Sequence, residues 1–300
     1  SSDLTRQPLV DHARHAGRVE SRAAAARLMF GLDVILLLEL AVLGLVVGFV
    51  AGLLGIGGGM LLVPFLTFII SGRGVPSDLA VKMAIATSMA TILLTSLSSV
   101  RAHHARGAVR WNIVRGMAPG IVVGGLLAGA GVFALVKGQA LALFFAGFVG
   151  FSAFQMLLDK KPKPSRQMPG PVGQAGVGSG IGFLSGLVGA GGGFVSVPYM
   201  TWCNVPVHHA VATSAALGFP IALANTTGYV IGGWEQNLPL AGSFGFLYLP
   251  ALAVIALCSV VMAPLGARTA HRLNVRQLKR AFAMLLFALA GYMLWRGLAG

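Results

Sequence analysis

"GFVAGLLGIGGGMLLVP" occupies Gly48–Pro64 and sets three consecutive glycines, Gly57, Gly58 and Gly59, inside an otherwise apolar run. Each glycine costs a helix about 1 kcal/mol relative to alanine, and Pro64 removes a backbone donor as well. A continuous membrane helix gains nothing from that composition, so the stretch predicts a helix interrupted within an apolar layer. Such a break is tolerated only where its freed N–H and C=O groups are buried in protein or line a wet cavity. The segment 59–71 that follows is too short to cross about 30 Å of hydrocarbon and reads as a half-helix.

The same feature returns later in the chain. Residues 48–67, "GFVAGLLGIGGGMLLVPFLT", align without gaps to 182–201, "GFLSGLVGAGGGFVSVPYMT", with eleven of twenty positions identical. Every glycine of the triplet recurs (Gly191, Gly192, Gly193), as does the proline five residues on. Farther along, "VKMAIATSMA" (81–90) matches "VHHAVATSAA" (207–216). The chain is therefore read as a duplication: a basic tail over 1–32, a first membrane repeat over 33–158, a Lys/Pro-rich linker over 159–171 and a second membrane repeat over 172–300. The triplets lack the third glycine of a dinucleotide fingerprint, and no G-K-[ST] follows them, which argues against a nucleotide site. Small-residue faces for helix packing are the plainer alternative for the glycines.

Composition agrees with a bilayer setting. Of 300 residues, 56% are hydrophobic and 10% charged, and the mean hydropathy is +0.82. Apolar runs long enough to span lie at 79–100, 113–135, 138–158, 209–231, 243–265 and 279–297. The net charge of +14 does not indicate nucleic acid, because 18 of the 22 basic residues fall in four segments that flank apolar runs: 6–27, 101–115, 160–166 and 268–280. That is the positive-inside pattern of cytoplasmic loops. It puts 72–80, 136–139 and 232–242 outside and the tail, read as retained, inside. Equivalent loops then fall on opposite faces, which makes the two repeats inverted in topology, provided that 172–203 enters and returns while 33–70 crosses once. Cys203 and Cys258 have no metal-ligand spacing and read as buried small hydrophobes.

The expected fold is all-α and polytopic, with two inverted-topology repeats, each a glycine-broken re-entrant helix pair plus three transmembrane helices. Two facing half-helix N-termini concentrate free N–H groups and partial positive charge near the midplane, a setting that favours an anion. Beside each break comes a hydroxyl pair, Thr87-Ser88 in the first half and Thr213-Ser214 in the second, able to donate to an oxyanion or to bond back to their own helix. Asn225 is expensive in lipid and is expected to face the interior, as ligand contact or as interhelical glue. Lys82 is read as snorkelling or as attracting the anion; His208 and His209, its counterparts, are read as anion-attracting or coupling groups or simply as helix caps at the membrane surface. Glu39, the acid within an apolar run, is a proton-coupling candidate set against simple interfacial placement. No catalytic triad, carboxylate pair or H-E-x-x-H is present, so the sequence gives an enzyme little to work with and implies no cofactor.

Two copies of G-x-G-G-G-x-x-x-V-P, each followed by A-[IV]-A-T-S, resemble the TauE/SafE family of membrane permeases, over about 44–297. The resemblance implies ion-gradient-driven transport of sulfite, sulfoacetate or another organosulfonate across the bacterial inner membrane, with a proton or sodium ion as coupling partner. The expected partners are thus a small anion and membrane lipid; a homo-oligomer is compatible with the glycine-rich surface. The competing readings are a non-transporting structural or assembly protein, and a metal or cation transporter using His208, His209, Glu39 and Cys203.

Overall fold

The computed structural model describes residues 33–54, 58–158, 165–236, 238–270 and 275–299. The tail 1–32, Gly57 and linker residues 159–164 lie outside the described residues. The first half comprises α1 (Val34–Leu54), α2 (Gly59–Ser71), α3 (Ser77–Ala105), α4 (Trp111–Leu126) and α5 (Gly138–Leu158). A π-helical turn at Leu127–Val132 and a last α-turn at Phe133–Leu135 extend α4. The second half repeats the order with α6 (Pro171–Val188), α7 (Gly193–Trp202), α8 (Val207–Gly232), α9 (Leu249–Ala270) and α10 (Val275–Ala299). Before α9 stands a small antiparallel hairpin, β1 (Ser243–Phe244) and β2 (Leu247–Tyr248).

Among the described residues seven helices, α1, α3, α4 with its extension, α5, α8, α9 and α10, are long and apolar enough to cross a membrane. The protein is an all-α, multi-pass membrane protein. Exposed apolar side chains such as Ile35, Leu38 and Val42 on α1 or Leu257 and Val261 on α9 then face lipid, where they need no polar cover. The apolar run at 243–265 does not form one helix. Its first six residues make the hairpin, and Gly245 turns it at φ +57°.

The two halves embrace rather than sit side by side. α1 packs along α9, and α6, its counterpart, packs along α4, the counterpart of α9. Both pairs run parallel: Gly44 and Gly48 of α1 lie against Ile255 and Ser259, while Gly116 and Gly124 of α4 lie against Gln174 and Ser179. A β-carbon at Gly120 would collide with the Ala175 carbonyl, and one at Gly182 with the Ile121 carbonyl, so glycine is what permits that approach. α5 and α10 pack antiparallel, Gly297 near Gln139 and Gly150 near Ala290, and α3 crosses α8 at the centre.

Both broken pairs return to the end of the bundle from which they start. Arg73, just after α2, bonds Asp33 at 3.3 Å and Glu39 at 3.0 Å, both at the start of α1. In the second half the N–H groups of Ser165 and Arg166 donate to the Trp202 carbonyl at 3.2 and 3.3 Å, and the Arg166 guanidinium lies 4.6 Å from the Trp202 ring centre. The expectation that 33–70 crosses once, and with it the placement of 72–80 on the face opposite the tail, is corrected by the Asp33–Arg73 pair, which holds both ends of that segment together.

Candidate functional site

The candidate site is framed by two helix N-termini that open on glycines. Gly58 precedes α2 with φ +23° and Gly192 precedes α7 with φ +72°, a left-handed conformation that side chains resist. Pro64 and Pro198 stand at the same place, the sixth residue of each half-helix. Neither N-terminus has a side-chain cap. Among the described residues the N–H groups of Gly59 and Met60, and equally those of Gly193 and Phe194, have no hydrogen-bond partner, as expected of first-turn donors.

The breaks touch. A β-carbon at Gly59 would stand 2.8 Å from the Gly189 carbonyl oxygen and 2.7 Å from Cδ1 of Ile92, which also lies against Gly191. Ser88, fully buried on α3, reaches the carbonyls of Gly59 and Gly189 at 3.2 Å each, so a single hydroxyl proton is shared between the two breaks. Next to them a shallow cleft is lined by Val50, Ala51, Gly58, Met60, Phe194 and Phe282, so that both N-termini border it.

The other hydroxyls are occupied in a way that sequence spacing does not reveal. Thr87 accepts the Tyr248 N–H at 3.0 Å, and Thr213 accepts the Arg110 N–H at 3.0 Å. Ser214 pairs with Ser196 at 2.7 Å. Ser196 is a site residue that motif reading misses, although the repeat offers a signal for it: the aligned position in the first copy is Leu62, so a polar residue has replaced an apolar one beside the break. Asn225 is fully buried; its amide donates to Gly182 and Ile221 carbonyls at 3.2 and 2.8 Å, while its Oδ1 has no partner among the described residues. It ties α8 to α6.

The ionisable candidates lie farther out. Lys82 is buried and donates to the Ala134 carbonyl at 3.1 Å, with Asp78 4.0 Å away, so it closes the C-terminal end of the α4 extension. His208 is exposed and stacks on His209, whose Nδ1 lies 2.7 Å from the Ala108 carbonyl. Glu39 is exposed and paired with Arg73. Cys203 is a free, buried thiol and Cys258 a free, half-buried one. Among the described residues no three His, Cys, Asp or Glu side chains stand together as a metal site. Among the described residues, the donors left free where the two breaks meet are thus backbone amides, a type of donor that suits an anion.

Three relatives illustrate what the chain is similar to. A probable membrane transporter protein of Haemophilus influenzae is 34% identical over 82% of this chain and 94% of its own length. One from Methanocaldococcus jannaschii is 28% identical over 87% of this chain and 96% of its own. YunE of Bacillus subtilis, another probable membrane transporter protein, is 31% identical over 67% of this chain and 82% of its own. No solved structure matches. The profile of the family described as Sulfite exporter TauE/SafE matches residues 40–293, which takes in both breaks and all or most of every apolar span, and the chain belongs to that family.

Proposed function

We propose that the protein carries a small sulfur-containing anion, sulfite, sulfoacetate or another organosulfonate, across the inner membrane of a bacterium by alternating access, driven by an ion gradient. Membrane transport itself follows from the family and from seven apolar helices; cargo and coupling are the proposal. The observation that carries it is the contact between the two breaks, which brings together the first turns of α2 and α7, whose leading amides have no partner among the described residues. A sulfonate or sulfite oxygen accepts such N–H groups without needing a buried counter-charge, and the dipoles of both half-helices favour it. The feet of the two broken pairs, with three crossings in between, support inverted-topology repeats, the architecture in which a midplane site is exposed alternately to either face.

The test is flux of labelled sulfite and sulfoacetate into proteoliposomes under imposed proton and sodium gradients. Protein-dependent uptake that one gradient accelerates is the expected result. Absence of flux over a panel of small anions overturns the reading and favours a role in membrane assembly.

A further inference from the structure

We propose that the β1–β2 hairpin and the 106–110 loop are the two gates of the central site, and that Thr87 and Thr213 are the latches that hold them shut. The proposal rests on the transport reading but is tested without substrate. Thr87 and Thr213 occupy the same position of the repeated A-[IV]-A-T-S segment. Each accepts an N–H from the other half, and in both cases the donor is the residue just before that half's fourth helix: Tyr248 before α9 and Arg110 before α4. One residue beyond each threonine is a serine engaged at the breaks, Ser88 with Gly59 and Gly189, Ser214 with Ser196. The state of each gate is therefore set one residue away from the site itself.

The segments are buried as plugs would be. Phe246, Leu247 and Tyr248 are 1%, 4% and 2% exposed, unusual for the turn between two spanning helices. The hairpin is further held by the Phe246 N–H on the Tyr229 carbonyl at 3.3 Å and by Lys82, whose Nζ lies 5.6 Å from the Phe246 ring centre. In the 106–110 loop Val109 is buried, and the Ala108 carbonyl meets His209 Nδ1 at 2.7 Å. The hairpin follows the end of α8 and the loop follows the end of α3; because α3 and α8 are the repeat's equivalent helices in halves whose feet are opposed, the gates close opposite ends. Each gate belongs to one half and its latch to the other, so releasing one does not release its twin.

Valine keeps the shape of threonine and removes the acceptor. T87V leaves the Tyr248 N–H buried and unpaired while the hairpin is shut, and the penalty disappears when the hairpin moves to water. The reporter is a cysteine at Ser196, buried at the breaks, in the full chain with Cys203 and Cys258 changed to alanine. It is labelled with a membrane-impermeant maleimide in right-side-out and in inverted vesicles. T87V is expected to raise labelling roughly five- to tenfold from the hairpin end only, and T213V by a similar factor from the 106–110 end only, while T87S and T213S, which keep the oxygen, label like the parent. A rise from both ends in each variant, a rise from the same end in both, or no change overturns the latches, as does a serine variant that behaves like valine. End-specific labelling, with no anion flux through the chain that keeps Ser196, sinks the transport reading and leaves the latches standing; flux through that chain with labelling insensitive to both valines does the reverse.

Discussion

The two breaks share a backbone but differ in the side chains around them. At the first, Ser88 reaches across to the other half and ties Gly59 to Gly189. At the second, Ser214 stays within its own half and bonds Ser196 on the neighbouring α7. The flanks diverge too: Lys82 is buried against Ala134, whereas His208, at its place in the repeat, is exposed. After duplication the glycine, proline and Thr-Ser positions were retained, because backbone geometry admits few substitutes there. The polar lining drifted, because many side chains satisfy a nearby donor or acceptor. The symmetric part positions the site, and the asymmetric part gives the two ends different chemistry.

That contrast can be broken first at the interhalf seams. G120L forces a side chain into the Ala175 carbonyl and should cost about 3 kcal/mol or more by pushing α4 off α6, read as a lower thermal midpoint in detergent. If it is neutral, close glycine packing does not hold the halves. G192V comes next. It places a β-branched side chain at φ +72° with its Cβ 2.5 Å from Ile221 Cδ1, and should abolish anion flux while costing about 1–3 kcal/mol of stability. Flux that survives G192V means that the break is not the site. S88A sharpens the comparison directly. Losing the bond that bridges both breaks should cost about 1–2 kcal/mol and reduce flux; S214A, which leaves the buried Ser196 hydroxyl without its partner, should cost a similar amount but reduce flux less, because it acts within one half. Equal effects on flux would show that the two breaks are not specialised. H208Q, at an exposed position, should stay within about 0.5 kcal/mol of the parent in the same unfolding assay.

The spans and breaks were legible because lipid imposes them: length and apolarity mark a crossing, and a glycine triplet inside one weakens the helix to no benefit unless the helix opens there. The roles of the threonines were not. Their donors lie 161 and 103 residues away, and no local spacing reports a partner at that distance. Glu39 looked deeply placed because α1 is apolar on both sides of it, yet the returning α2 brings Arg73 to the same end and pairs it there. The hairpin was hidden by composition, since a buried plug such as "SFGFLY" is as apolar as the helix that follows it. Ser196 was the missed residue with a usable signal, the exchange of leucine for serine between copies.

The embrace of α1 by α9 bears on how the chain is made. Ser259 on α9 donates to the Gly44 carbonyl of α1 at 3.0 Å across 215 residues of sequence. α1 therefore waits in lipid, its glycine face without its native neighbour, until α9 has left the ribosome. Assembly cannot finish half by half, and a truncated product ending after α5 would leave α1 and α4 each lacking the companion against which it is shaped.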